Sequence, residues 1–109
     1  MKLASAVREL LPEDETALPD VAAQIRKVFE SEILPHFAEE ERQVIPKLAE
    51  IGRKDLADRT MAEHEELKRL IAALEQPSTE AIEAFAQALC AHVEFEEETC
   101  WEVLEKAGF

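Results

Sequence analysis

Two long stretches of this chain match when one is slid along the other by 56 positions. Phe29 falls on Phe85, Ile33 on Leu89, His36 on His92, Glu40 on Glu96, Glu41 on Glu97 and Leu48 on Leu104. In both stretches the apolar residues return every three or four positions, the period of one face of an α-helix. The repeat therefore predicts two helices with equivalent apolar stripes, each carrying the same five residues, His-x-x-x-Glu. No run of alternating β-branched or aromatic residues competes with this reading.

The rest of the chain extends the helical pattern. With 109 residues there is enough for one domain, residues 1–109, and too little for two. Two glycines and no tyrosine, with abundant Ala, Leu, Glu, Lys and Arg, fit a helical composition. Leu3, Val7, Leu10 and Leu11 mark a short first helix, ended by the stretch from Pro12 to Pro19. A second helix is expected from Asp20 to Ile51, with Pro35 bending it and Pro46 ending its main part early. Gly52 is its stop. A third helix is expected over Lys54–Leu74 and a fourth over Thr79–Lys106, separated by Pro77-Ser78-Thr79. Short connections between long helices predict an all-α fold, an up-down four-helix bundle with a short first helix.

All the histidines belong to one pattern. His64 lies 28 positions from His36 and 28 from His92. Residues four apart on a helix share a face, about 5–6 Å from each other. At 3.6 residues per turn, Glu40 stands about 40° and Phe29 about 20° from His36, so the motif continues the apolar stripe. Leu56, Met61, Leu67 and Ile71 supply the apolar neighbours of His64. Buried carboxylates are costly unless paired, hydrogen-bonded or metal-bound. The ordinary reading of Glu39-Glu40-Glu41 is a solvated face, and that of each motif is a histidine paired with a nearby acid. Two matched copies with a third histidine midway favour a metal site at His36, Glu40, His64, His92 and Glu96.

Imidazole and carboxylate donors together suit iron, manganese or zinc, and five donors exceed what tetrahedral zinc uses. Two carboxylates from facing helices can bridge two ions, which favours a di-iron centre. Ferritin-type proteins place the acid three residues before the histidine. Ile33, Met61 and Leu89 stand at those positions here, against that type.

The segments His36-Phe37-Ala38-Glu39-Glu40-Glu41, Glu63-His64-Glu65-Glu66-Leu67 and His92-Val93-Glu94-Phe95-Glu96-Glu97 resemble the hemerythrin-like, or HHE cation-binding, domains. Val44-Ile45-Pro46-Lys47-Leu48 adds to the resemblance, which covers roughly residues 20 to 107. It implies a four-helix bundle around non-haem di-iron, with terminal ligands at His36, His64 and His92 and bridging carboxylates at Glu40 and Glu96. The implied role is O2 binding or sensing, or the handling of iron or NO. Zinc or manganese are the alternative occupants. The chain departs from the family in two places. The family usually supplies a histidine from the first helix and often a second on the third. Here no histidine precedes His36, and Thr60 and Lys68 flank His64 at four residues. The site is then a less saturated di-iron centre, a single-metal site, or one completed by water, by Glu9 or Glu63, or by a partner chain. The alternative is a metal-free bundle acting as an acidic interaction module. A short first helix would leave apolar surface on the others, which suggests a homodimer.

A net charge of −13 argues against nucleic acid and anionic membranes as partners. No apolar run is long enough for a signal peptide or a span. Cys90 and Cys100, ten residues apart on one helix, lie about 15 Å from each other and cannot bridge. Free thiols suit a cytoplasmic location. Cys100, one turn past Glu96, could approach the site, though a small buried core residue is the simpler reading. Trp101 and Phe109 are expected to pack in the core or an interface. Nothing resembles a catalytic triad, a phosphate loop or a Cys-x-x-Cys pair, so the sequence favours binding over catalysis.

Overall fold

The computed structural model describes residues 18–108, which form three long helices and no strand. Helix α1 covers residues 18–50, α2 is Lys54–Ala72 with a closing 3-10 turn at Ala73–Glu75, and α3 covers residues 79–106. The expected short helix at Leu3–Leu11, Glu9 and Phe109 lie outside the described residues. The fold seen is thus all-α.

Local chemistry sets the helix ends. Gly52 has φ 87°, a left-handed conformation that glycine adopts without strain. It lets the Arg53 N–H turn back to the Leu48 carbonyl at 2.8 Å. Ser78 caps α3, its hydroxyl oxygen accepting from the Ala81 N–H at 3.0 Å.

Helix α1 passes through both of its prolines, so Pro46 does not end it. Each proline follows a widened π turn. The Leu34 N–H reaches back five residues to Phe29, and the Ile45 N–H to Glu40. A proline ring crowds the carbonyl four residues before it and offers no N–H. Slipping the preceding bond to five residues relieves that crowding. A third π turn, Glu96–Cys100, is closed by the Trp101 N–H on the Glu96 carbonyl and has no proline after it. It is the repeat equivalent of Glu40–Val44. Both turns open on the motif's glutamate. Such turns mark functional positions in helices more often than chance.

At about 1.5 Å per residue α1 would span about 50 Å, and the described chain is 49 × 20 × 20 Å. Its three antiparallel helices share two apolar cores. One contains Leu18, Ile25, Phe29, Ile33, Phe37, Leu67, Leu74, Ile82, Phe85 and Leu89. The other contains Val44, Leu48, Leu56, Ala57, Phe95, Cys100 and Leu104. Between them lie the buried polar residues Glu40, Thr60, His64, His92 and Glu96.

Met61 departs from expectation: it is 38% exposed and does not line the histidine. At about 100° per residue it sits about 60° past His64, at the edge of the stripe. Thr60 takes the inward place, its hydroxyl donating to the Leu56 carbonyl at 2.8 Å. Cys100 is buried in the second core with its sulfur 3.9 Å from the Thr60 hydroxyl, and burial pushes its thiol pKa up. Both cysteines are free. No helix among the described residues is long and apolar enough to cross a membrane.

Candidate metal centre

All five expected residues meet between the two cores. Helix α1 contributes His36 and Glu40, α2 contributes His64, and α3 contributes His92 and Glu96. Their donor atoms form two overlapping groups, Glu40 with His64 and His92, and Glu40 with His36 and Glu96. Within each group the atoms lie within 4.8 Å of one another. Glu40 belongs to both.

The contacts in this cluster are close without being hydrogen bonds. His64 Nε2 is 3.2 Å from Glu40 Oε1, His92 Nε2 is 2.7 Å from Glu96 Oε1, and His36 Nε2 is 3.5 Å from Glu40 Oε1. Yet both Glu40 oxygens and the Nε2 atoms of His64 and His92 are buried with no hydrogen-bond partner. Such orphans are rare and costly in a core.

The opposite ring nitrogens are satisfied. His64 Nδ1 is 3.1 Å from Glu41 Oε2, and His92 Nδ1 is 2.7 Å from Glu63 Oε1. A carboxylate only accepts, so each Nδ1 carries the proton and each Nε2 presents its lone pair inward. Burial lowers the pKa of His92, outweighing the Glu63 hydrogen bond that raises it, and so keeps the ring neutral near pH 7. The inward Nε2 atoms of His64 and His92 and the carboxylates of Glu40 and Glu96 thus face one another across a few ångströms. They repel unless a cation lies among them. Metal-bound histidines characteristically hold their other nitrogen on a carboxylate in this way. The donor set therefore fits a divalent transition-metal cation.

An aromatic wall closes one side. Phe37 stacks on His64 with centroids 3.9 Å apart and 13° between planes, and meets His92 edge-on at 5.6 Å. Phe29 touches Phe37 at 6.0 Å and Phe85 at 5.9 Å, so the two phenylalanines matched in the repeat meet beneath the site. The other side is open. The His36 side chain is 44% exposed. It lines a cleft of about 160 Å³ with Val93, Glu96, Glu97 and Trp101.

The sequence marks the donors but not their supports. Glu63 reads there only as an extra ligand, and Glu41 only as a match in the repeat. Each is adjacent in sequence to a donor, Glu41 after Glu40 and Glu63 before His64, so each points sideways to the neighbouring helix. Thr60 and Lys68 stay outside the cluster as expected, Thr60 bonding within its helix and Lys68 pairing with Glu65 at the surface.

The family model described as Hemerythrin HHE cation binding domain matches residues 1–106. No curated protein and no solved structure matches the chain.

Proposed function

This chain belongs to the hemerythrin HHE cation-binding family, and from that premise we propose that it holds non-haem iron on His36, Glu40, His64, His92 and Glu96. The observation that carries the reading is the set of four buried, unpartnered donor atoms between the two cores. Glu40 belongs to both donor groups, which supports the reading that the site would hold two iron ions, with Glu40 and Glu96 as the carboxylates they would share. Zinc or manganese could take the same donors.

Bound iron would supply a reversible ferrous–ferric couple and an open position for a small ligand such as O2 or NO. The residues around it do the rest. Glu41 and Glu63 fix the two buried imidazoles with Nε2 inward. Phe37, Phe29 and Phe85 keep water from the core side. The cleft beside His36 admits a small ligand from the other side.

Untagged protein purified without chelator and reconstituted with ferrous iron under nitrogen should hold about two ions per chain. Glu40→Ala and His92→Ala should lose most of that metal. If both variants keep full metal content, the ligand assignment is wrong. If wild type takes up no metal and a chelator leaves its melting temperature unchanged, the acidic interaction module becomes the better reading.

A further inference from the structure

We infer that Arg59 is a positioning residue for the metal centre, acting through Glu63 on His92. The inference rests on the metal-binding reading above for its consequence, but its geometry stands alone.

Three contacts link the surface to the site. Arg59 Nε donates to Glu63 Oε2 at 2.8 Å. The other oxygen of the same carboxylate, Oε1, accepts from His92 Nδ1 at 2.7 Å. The far nitrogen of that ring, Nε2, faces Glu96 at 2.7 Å. The guanidinium is held a second way, lying over the Phe95 ring at 3.8 Å from its centroid. Phe95 is buried in the second core and directly precedes Glu96. The Arg59 head is thus fixed against α3 while it grips a carboxylate of α2.

His64 lacks this arrangement. Its Nδ1 is held by Glu41 at 3.1 Å, and among the described residues no Lys or Arg pairs with Glu41. One buried imidazole therefore rests on a neutralised ion pair and the other on a bare carboxylate. The difference has two effects. With Arg59 on its far oxygen, Glu63 cannot turn to water, so His92 keeps its orientation. The cation also withdraws negative charge from Glu63, making His92 the less electron-donating ligand. An exposed ion pair of this spacing does little for stability by itself. Its effect lies in the orientation and basicity of His92.

The test uses full-length protein. In the metal-free state at constant pH, 15N-resolved NMR should show His92 protonated at Nδ1, with that proton shielded from exchange. Arg59→Gln should speed the exchange about tenfold, and Glu63→Gln should change the tautomer, in line with the effect of removing an outer partner. With Zn2+ as probe and a chromophoric chelator as acceptor, Arg59→Gln should release metal about tenfold faster, and Glu63→Gln at least as fast. The double variant should be no faster than Glu63→Gln alone, since the two act in series. Arg69→Gln, which breaks a surface pair with Glu66 on the same helix, should behave as wild type. The inference is overturned if Arg59→Gln changes neither readout. It is equally overturned if its effect persists undiminished in the Glu63→Gln background, since Arg59 would then act only by packing on Phe95. If wild type takes up neither Zn2+ nor iron, the proposed function falls, and the NMR measurement alone decides the link.

Discussion

The two copies of His-x-x-x-Glu share their residues and differ in their surroundings. On α3, His92 is 2% exposed and its Nδ1 is held by Glu63. On α1, His36 is 44% exposed, and among the described residues no outer carboxylate holds its other nitrogen. The cause lies seven residues upstream. Helix α1 has a π turn at Phe29–Ile33, and α3 is plain α-helix over the matching stretch. A π turn absorbs about one extra residue, so it rotates the next stretch of helix by about 100° against a plain one. His92 therefore stays on the face of Phe85, whereas His36 is carried off the face of Phe29. Phe37 moves into the inward place and stacks on His64. Identical motifs fix a local direction, and the helix before them decides whether that direction points into the core.

The largest effect should come from the residue both halves share. Glu40→Ala should lower metal affinity by more than about 100-fold. The same variant without metal should lose no more than about 1 kcal/mol, because the carboxylate it removes is buried and unpaired. Calorimetric titration beside thermal melts separates the two, and a large loss of apo stability would contradict the orphaned donors.

Next comes the direct contrast. His92→Ala should destabilise the metal-free protein by about 2–3 kcal/mol, leaving a cavity and taking the partner from one Glu63 oxygen. His36→Ala should cost under about 0.5 kcal/mol, as exposed positions do, yet still weaken binding of a second ion. Equal costs in urea titrations would erase the proposed asymmetry.

Acid should act through the buried copy. The pKa of His92 is lowered by burial. Below about pH 6.5 the unfolded chain takes up a proton there that the folded chain refuses, so unfolding is favoured. No penalty exists above that pH. It grows as pH falls toward the folded pKa, by up to about 1.4 kcal/mol per unit, and then levels off. His92→Gln should flatten this part of the apo stability curve. A curve of unchanged slope would show that the burial of His92 is not what drives it.

The smallest effect is expected at Met61. Its side chain stands at the edge of the α2 stripe, so Met61→Ser should alter stability and metal affinity by less than about 0.5 kcal/mol. A larger loss would mean that α2 turns a different face to the site.

Much of this is legible in the sequence because it depends on residues close in the chain. Gly52, Ser78 and the breaks at Lys54 and Thr79 mark helix ends through local hydrogen bonding and backbone freedom. The candidate donors His36, Glu40, His64, His92 and Glu96 emerge from helical spacing alone. The illegible parts depend on how helices are rotated about their axes. Pro35 and Pro46 signal interruptions, but the same π turn at Glu96 has no proline to announce it. Whether Thr60 or Met61 faces inward, and whether Glu41 and Glu63 reach across to another helix, is set by packing between helices. The burial difference between His36 and His92 belongs to the same class.

The turns at Glu40–Val44 and Glu96–Cys100 have a further consequence. Each contributes one surplus residue at the same place in its helix, and Leu48 and Leu104 beyond them both reach the second core. The turn at Phe29–Ile33 has no such twin. In comparing related chains, a one-residue gap between positions 29 and 36 would therefore remove the turn and its surplus residue together, leaving His36 and Phe37 facing as they do here. A relative of the same length with plain helix there would instead turn its first histidine inward and displace the residue matching Phe37.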